Sequence, residues 1–334
     1  MKIFAIVSVI LIVVGLVICG IALFGSGFDF EKMEKTAEET FTLSEEIKNI
    51  EIKTDGVSCD IIVKRADTEK AELFIKYRKN TRIEYTITDG KLAVNTTREK
   101  KFQLFDFGVR DKIILTLPAK TYESLNIENS TGDVRIANLD FSGDVCIENS
   151  TGDINIASIK AQSLSAKAST GDIEGRRLYA EEKMSVSVST GEISLSEISA
   201  DTFSSNGEIE IEKATLGAIE LMKGSTDSIT LEEVYTTGNV NIEISTGDIE
   251  IENSRFGGKL TAKGSTGDFE MINSDAYELD VNYTTGDVNL LLLSPKNFVA
   301  DSRTGKIDVI GTVYTAPLCK ITTSTGKITV RVSD

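Results

Sequence analysis

Acidic residues recur at a fixed beat through the second part of this chain. Asp133, Asp153, Asp172, Asp248, Asp268 and Asp287 each follow a glycine, and Glu192 and Glu208 hold the same place between them. Carboxylates in a row suit two kinds of chemistry. Stacked oxygens can hold a hard cation such as calcium, and a pair of carboxyl groups can serve as acid and base on a glycan. Calcium-binding β-rolls repeat Gly-Gly-x-Gly-x-Asp about every nine residues, which surrounds each ion with several oxygens. Here one carboxylate returns about every twenty residues, so two rungs would have to share an ion. A catalytic pair would interrupt the repeat, whereas these acids return because the turn returns, and no aromatic sugar platform flanks a break. The six aspartates are therefore a candidate cation ladder for calcium and otherwise a solvated corner. A glycan-cleaving rod is the weaker alternative.

Other chemistries are excluded by composition. There is no His and no Trp among the 334 residues. That removes Ser-His-Asp and Cys-His arrangements, the usual zinc sites and the commonest general base at neutral pH. Glycines come singly, once per repeat, and not as a phosphate-cradling cluster before a helix. No catalytic or cofactor-binding residue is assigned, and the protein is expected not to be an enzyme. A second charged group is basic: Lys76, Arg78, Lys79, Arg82, Lys91, Arg98, Lys100 and Lys101 lie in a span whose acids are Glu84, Asp89 and Glu99. Such a cluster could rest on anionic headgroups or wall polymer, at about 1 kcal/mol per basic residue near the surface. The plainer reading is an exposed strand face.

The elements that position these residues follow from the repeat itself. The phrase Ser-Thr-Gly-Asp places glycines at Gly132, Gly152, Gly171, Gly191, Gly207, Gly247, Gly267, Gly286, Gly305 and Gly326, with Asp227 marking a degenerate copy. A period of about twenty residues means a stacked architecture. Around each glycine apolar residues alternate: Leu125 and Ile127 before the first, Val134 and Ile136 after it, and the same beat at Val145/Ile147 and Ile154/Ile156. Period two with β-branched residues marks strands with one buried face. The corner between two strands needs positive φ, which glycine adopts without steric penalty. The fold class expected is all-β: a single-domain β-solenoid, or β-helix, of about eleven rungs stacked about 4.8 Å apart into a rod roughly 50 Å long. A meander of hairpins competes, but hairpin loops vary in length and this period holds.

The row of residues after the glycine ends in Lys306 and Lys327. Two carboxylates at rung spacing repel by roughly 0.9 kcal/mol in water. The column is thus expected to carry a standing cost, relieved where Lys306 follows Asp287 and where Lys327 and Arg331 charge the last rung against edge pairing.

Four regions are expected. Residues 1–25 hold the uncharged run Ile3–Phe24, long enough to span a bilayer, with Lys2 before it and Asp29 and Glu31 after it. The expectation is a retained single-pass anchor in the cell membrane, with the bulk of the chain extracytoplasmic. A cleaved signal ending near Gly25-Ser26-Gly27 is the alternative. Residues 26–45 read as an acidic stalk, helical from Glu31 to Glu39. Residues 46–122 form a less regular capping β section, and residues 123–334 the repeats. Of four cysteines, Cys59 and Cys319 fall in phase with core residues, and no disulfide framework is implied. Basic and acidic residues balance before position 123, so the net charge of −16 sits on the repeats. That disfavours nucleic acid and suits a cell-surface glycan or protein partner.

The order Ile87-Thr88-Asp89-Gly90-Lys91-Leu92-Ala93-Val94, then Lys112-Ile113-Ile114-Leu115-Thr116-Leu117-Pro118, then Leu125-Asn126-Ile127 running into the first Ser-Thr-Gly-Asp-Val, resembles the bacterial putative-adhesin family, a domain of unknown function. The resemblance covers about residues 45 to 334. It implies a β-helical stack, often carried on an N-terminal membrane helix, and supplies no catalytic residues. The function expected is a non-enzymatic, membrane-anchored surface-interaction protein; an accessory or sensor of envelope stress acting by protein contact is the alternative.

Overall fold

A computed structural model describes residues 36–78, 81–98, 110–226 and 228–333. The apolar run Ile3–Phe24 and the segment before Thr36 lie outside the described residues.

The alternating segments form parallel strands that stack in register. Ile127 lies beside Ile147, Ile147 beside Ala166 and Ala166 beside Val186 on one face. Val134 lies beside Ile154 and Ile154 beside Ile173 on the next, and Leu139, Ile159 and Leu178 follow one another on a third. The chain thus winds a three-sided β-solenoid of about ten turns, near the eleven expected. One inward stripe per strand fills the interior: Ile127, Ile136, Ile156, Leu195, Ile211, Ile242, Ile251 and Leu279 are all buried. Their outward neighbours, such as Glu128 and Glu250, remain exposed. Ile251→Ala should lower stability by about 2–5 kcal/mol, as buried truncations do. Glu250→Ala should be near neutral, and equal losses at the two positions in urea melts would overturn the assignment of faces.

Two corner columns turn the chain. One is the glycine column. The other holds non-glycine residues in the left-handed region: Asn138, Ser158, Arg177, Glu197, Lys213, Glu233, Asn253 and Asn273, with φ between 49° and 59°. That column is hidden in the sequence, because Asn tolerates the left-handed well but Arg, Glu and Lys carry no such signal. Stacking on both sides holds them there.

Both ends depart from simple sequence order. At the C-terminal end, Leu279 and Val281 lie beside Cys319 and Ile321, which in turn lie beside Phe298 and Ala300. The last repeat in sequence is therefore inserted between the two before it. The physical reason is burial on two sides: Cys319, Ile321, Ile328 and Val330 are all fully buried in that inner place. The outer rung turns Phe298, Ala300, Ser302 and Ile307 inward, a less apolar set. At the N-terminal end Ile52 lies between Ile127 and Val94, and Ile61 between Val134 and Ile113.

Antiparallel strands then seal the N-terminal end. Ala71–Arg78 pairs with Asp111–Leu117, Thr36–Leu43 pairs with Ala71–Arg78, and Thr81–Thr88 pairs with Lys91–Arg98. Phe41 and Tyr85 meet across the closure, ring centroids 4.8 Å apart. The helix expected from Glu31 to Glu39 is corrected over its described residues, 36–39, since Thr36–Leu43 is a strand of the cap and not part of a stalk. The stretch reads as polar and acidic, and the residues Phe41 and Leu43 that anchor the strand to the cap come only at its far end.

The cysteines sit as their phase implies. Cys59 and Cys319 are buried and Cys146 is half-buried, and all three are free thiols. Burial pushes the Cys319 thiol up to about 12 and raises Cys59 further. The thiolate is the reactive form, so both should resist thiol reagents at pH 8 in the folded protein. Peptide mapping after maleimide treatment is expected to find Cys146 modified first, with Cys59 and Cys319 modified only after denaturation. Early modification of Cys319 would place it outside the core.

Candidate functional site

The glycine column brings the predicted turn residues into line. Gly132, Gly152, Gly171, Gly191, Gly247, Gly267, Gly286 and Gly326 all take positive φ. Gly305 does not fall in that range, although its backbone still lies against the carbonyl of Gly326. Gly207 is off the line: a side chain there would meet Val188 and not the glycine carbonyl below, because the preceding spacing is shortened.

The aspartates form a ladder in two runs, before and after the shortened spacing at Gly207, and each bonds to the chain itself. Asp133 Oδ1 accepts the amide N–H of Asp153 at 3.3 Å, Asp153 that of Asp172 at 3.0 Å, and Asp172 that of Glu192 at 2.9 Å. Further along, Asp248 accepts from Asp268, Asp268 from Asp287 and Asp287 from Lys327, each at 2.7 Å. A hydrogen bond to a charged acceptor contributes about 1.5–3 kcal/mol, more than the roughly 0.9 kcal/mol of repulsion between neighbouring rungs. The expected standing cost is therefore corrected: each carboxylate stabilises the rung above it. One oxygen of each aspartate is committed to this role. Among the described residues no three His, Cys, Asp or Glu side chains gather around a point that could hold a metal ion.

Basic groups stand at both ends of the ladder. Asp60 extends it by one rung, accepting from the amide of Asp133 at 3.1 Å, and Arg110 reaches both carboxylates at 3.1 and 3.3 Å. The hydrogen bond from Arg110 to Asp60 holds that guanidinium more firmly charged. Neither residue was legible as part of the column, since Ser58-Cys59-Asp60 lacks the turn glycine. At the far end Lys327 follows Asp287, and Lys306 lies one rung beyond, which reverses the expected order. A second ladder runs inside the corner. Thr54 donates to Asn129 Oδ1 at 2.7 Å, and Asn129 and Asn149 donate to the carbonyls of Gly132 and Gly152. The repeated Glu-Asn-Ser-Thr at 128–131 and 148–151 was its only signal.

Among the described residues the basic cluster does not assemble into one patch. Arg78 is buried, with its Nε 3.2 Å from Asp111 Oδ1, so it is a structural ion pair and not an anionic-surface contact. Lys91 pairs with Glu51 at 2.5 Å, Arg82 with Glu84, and Lys76 with Glu38 at 3.8 Å. Lys79, Lys100 and Lys101 lie outside the described residues. For Lys76, Arg78 and Lys91 the partners are acids distant in sequence, Glu38, Asp111 and Glu51.

The outer faces carry shallow grooves. One of about 540 Å³ crosses the strands that bear Lys64, Arg135, Asn155, Glu174 and Arg176. Another of about 530 Å³ lies among Asn206, Lys223, Glu243, Lys263 and Asn282. Cross-rung ion pairs pattern these faces, among them Arg176–Glu197 at 2.9 Å and Lys263–Glu243 at 3.2 Å, each too exposed to add much stability. Glu192, where the spacing shortens, has its carboxyl pushed up by burial and then by repulsion from Glu208 and Glu210.

Fold and ladder together define a β-solenoid whose turn aspartates each give one oxygen to the amide of the next rung. The chain belongs to the Toastrack DUF4097 family, whose model matches residues 47–331. Among solved structures it is similar to a putative adhesin from Bacteroides fragilis, at 15% identity over 89% of this chain and 97% of that one, TM-score 0.38. It is also similar to a putative adhesin from Parabacteroides distasonis, at 14% identity over 77% of this chain and 98% of that one, TM-score 0.34. A putative cell adhesion protein from Clostridium sporogenes matches at 11% identity over 90% of this chain and 100% of that one, TM-score 0.23. No curated protein matches.

Proposed function

We propose that this protein is a non-enzymatic rod of the cell envelope that acts through contact with a macromolecular partner. The observation that carries the reading is the ladder: the carboxylates most suited to metal or acid–base chemistry are bonded to backbone amides along the stack. The outer surface, patterned with charge and shallow grooves, is where contact is made. The membrane placement follows from the run Ile3–Phe24: the rod is held at the cell membrane by one helix and projects outward, with a cell-surface glycan or protein as its partner.

The test uses the full chain in its membrane. Glycan and matrix arrays should show retention of the protein with no new product, and photo-crosslinking from the outer faces should yield a discrete adduct. Release of shortened glycans would overturn the non-enzymatic reading. Adducts confined to membrane signalling proteins would favour the accessory role over adhesion. Retention of the intact chain in membranes after alkaline wash tests the anchor, and a mature species starting near Ser26 would refute it.

A further inference from the structure

The two ends of the rod differ. At the N-terminal end, antiparallel strands cover the stack, and Leu92 and Val94 beneath them are fully buried. Among the described residues the C-terminal end has no such cover. Its last rung consists of Asn297–Thr304 and Ile307–Val309, which among the described residues pair only with Leu318–Thr325 and Ile328–Val332. Ile307 shares the inward register of Ile328 and Val288, both buried, yet is 43% exposed, because no rung lies above it. Val299, Ile310 and Tyr314 in the same region are 50%, 58% and 85% exposed. An uncovered inward residue, Ile307, beside open strand edges marks a surface made to be covered by another strand.

The edge strand is complementary to itself. Asn297 donates its amide to Pro317 O, so alternation turns the amides of Phe298, Ala300 and Ser302 toward the open edge. If two copies meet antiparallel across a two-fold axis at Ser302, the two Ser302 residues exchange backbone hydrogen bonds. Asp301 then lies opposite the partner's Arg303, and Arg303 opposite the partner's Asp301. Both are exposed on the outer side of the strand, and neither forms an ion pair within the described residues. Two opposite-charge pairs in the closely spaced positions select this register over a shift that would set Asp301 against itself. The N-terminal edge Thr36–Leu43 offers no such match, since Glu38 and Glu39 crowd its exposed side.

We propose that the C-terminal end of the rod is a self-association surface, where the Asn297–Thr304 strands of two copies join antiparallel into a continuous end-to-end dimer. This goes beyond the outward-face reading above and uses a different surface. In this arrangement Ile307 and Ile310 leave water and the charged Lys306 stays at the rim. Lys327 and Arg331, expected to charge the last rung, both lie one rung inward.

The experiment is a charge swap in the full chain, with self-association followed by sedimentation in detergent at several concentrations. The unaltered chain should form a dimer. Asp301→Arg alone, and Arg303→Asp alone, place like charges opposite one another twice and should weaken the dimer about tenfold or more. The double variant Asp301→Arg/Arg303→Asp restores both pairs and should return the dimer. All three should keep the circular dichroism and melting of the parent, since both side chains are exposed. A chain that stays single, an association indifferent to the single swaps, or a double variant as weak as either single would each overturn the proposal and leave this end to a different protein.

Discussion

Replacing Gly267 by Ala should destabilise the rod by roughly 3 kcal/mol or more. Two penalties combine there. The residue sits at φ +125°, which L side chains rarely adopt, and an added Cβ would stand 2.0 Å from the carbonyl oxygen of Gly247 on the rung below. The oxygen belongs to backbone that is itself held by the stack, so relief requires moving a whole corner. Gly56 separates the two terms. It has φ +61° but nothing within 4 Å of where a Cβ would go, so Gly56→Ala should lose only about 1–2 kcal/mol from the left-handed conformation. Because each rung contacts only its neighbours, the loss should appear in hydrogen exchange as faster opening of the rungs around Gly247 and Gly286. Equal effects at Gly267 and Gly56 would show that close approach of the turns does not matter.

Asp111→Ala is the second large effect expected, at about 3–5 kcal/mol, because it removes the carboxylate from a buried ion pair. Asp111 accepts from the backbone amide of Arg78 at 2.9 Å, from its Nε at 3.2 Å and from the Thr81 hydroxyl at 2.7 Å. Both ionic partners are about 1% exposed. Asp111 stands on the last parallel strand at the N-terminal end, and Arg78 on the first antiparallel one, so this pair ties the cap to the solenoid. Urea melts should show the loss, and protease should cut first near the Ala71–Arg78 strand. The double variant Arg78→Met/Asp111→Leu should recover much of it, because an apolar pair of similar volume avoids the buried charge. A loss below about 1 kcal/mol for Asp111→Ala would mean that the cap is held by its strands alone.

The sequence alone determined the repeating unit, and through it the fold class. Alternating Ile and Val on either side of Ser-Thr-Gly-Asp leaves one stripe per strand to bury, and a period of about twenty residues lets that stripe close only by stacking. The inward set from Ile127 to Leu279 was legible for that reason, as was the phase of Cys59 and Cys319. Local pattern is enough where each contact repeats the one before it.

Tertiary structure decided whatever depends on a partner distant in the chain. Arg78 looked like one of a row of surface cations until Asp111, far along the sequence, came to lie beside it in the core. The aspartate column looked like a row of repelling charges until the amide of the next rung proved to be its partner. The left-handed column at Arg177, Glu197 and Lys213 has no residue signature, because neighbouring rungs and not intrinsic preference hold it. The order of the last rungs was equally hidden. Spacing along the chain is the same whether a strand lies inside or outside its neighbour, and only burial on two sides places Ile321 and Ile328 within and leaves Ile307 at the open end.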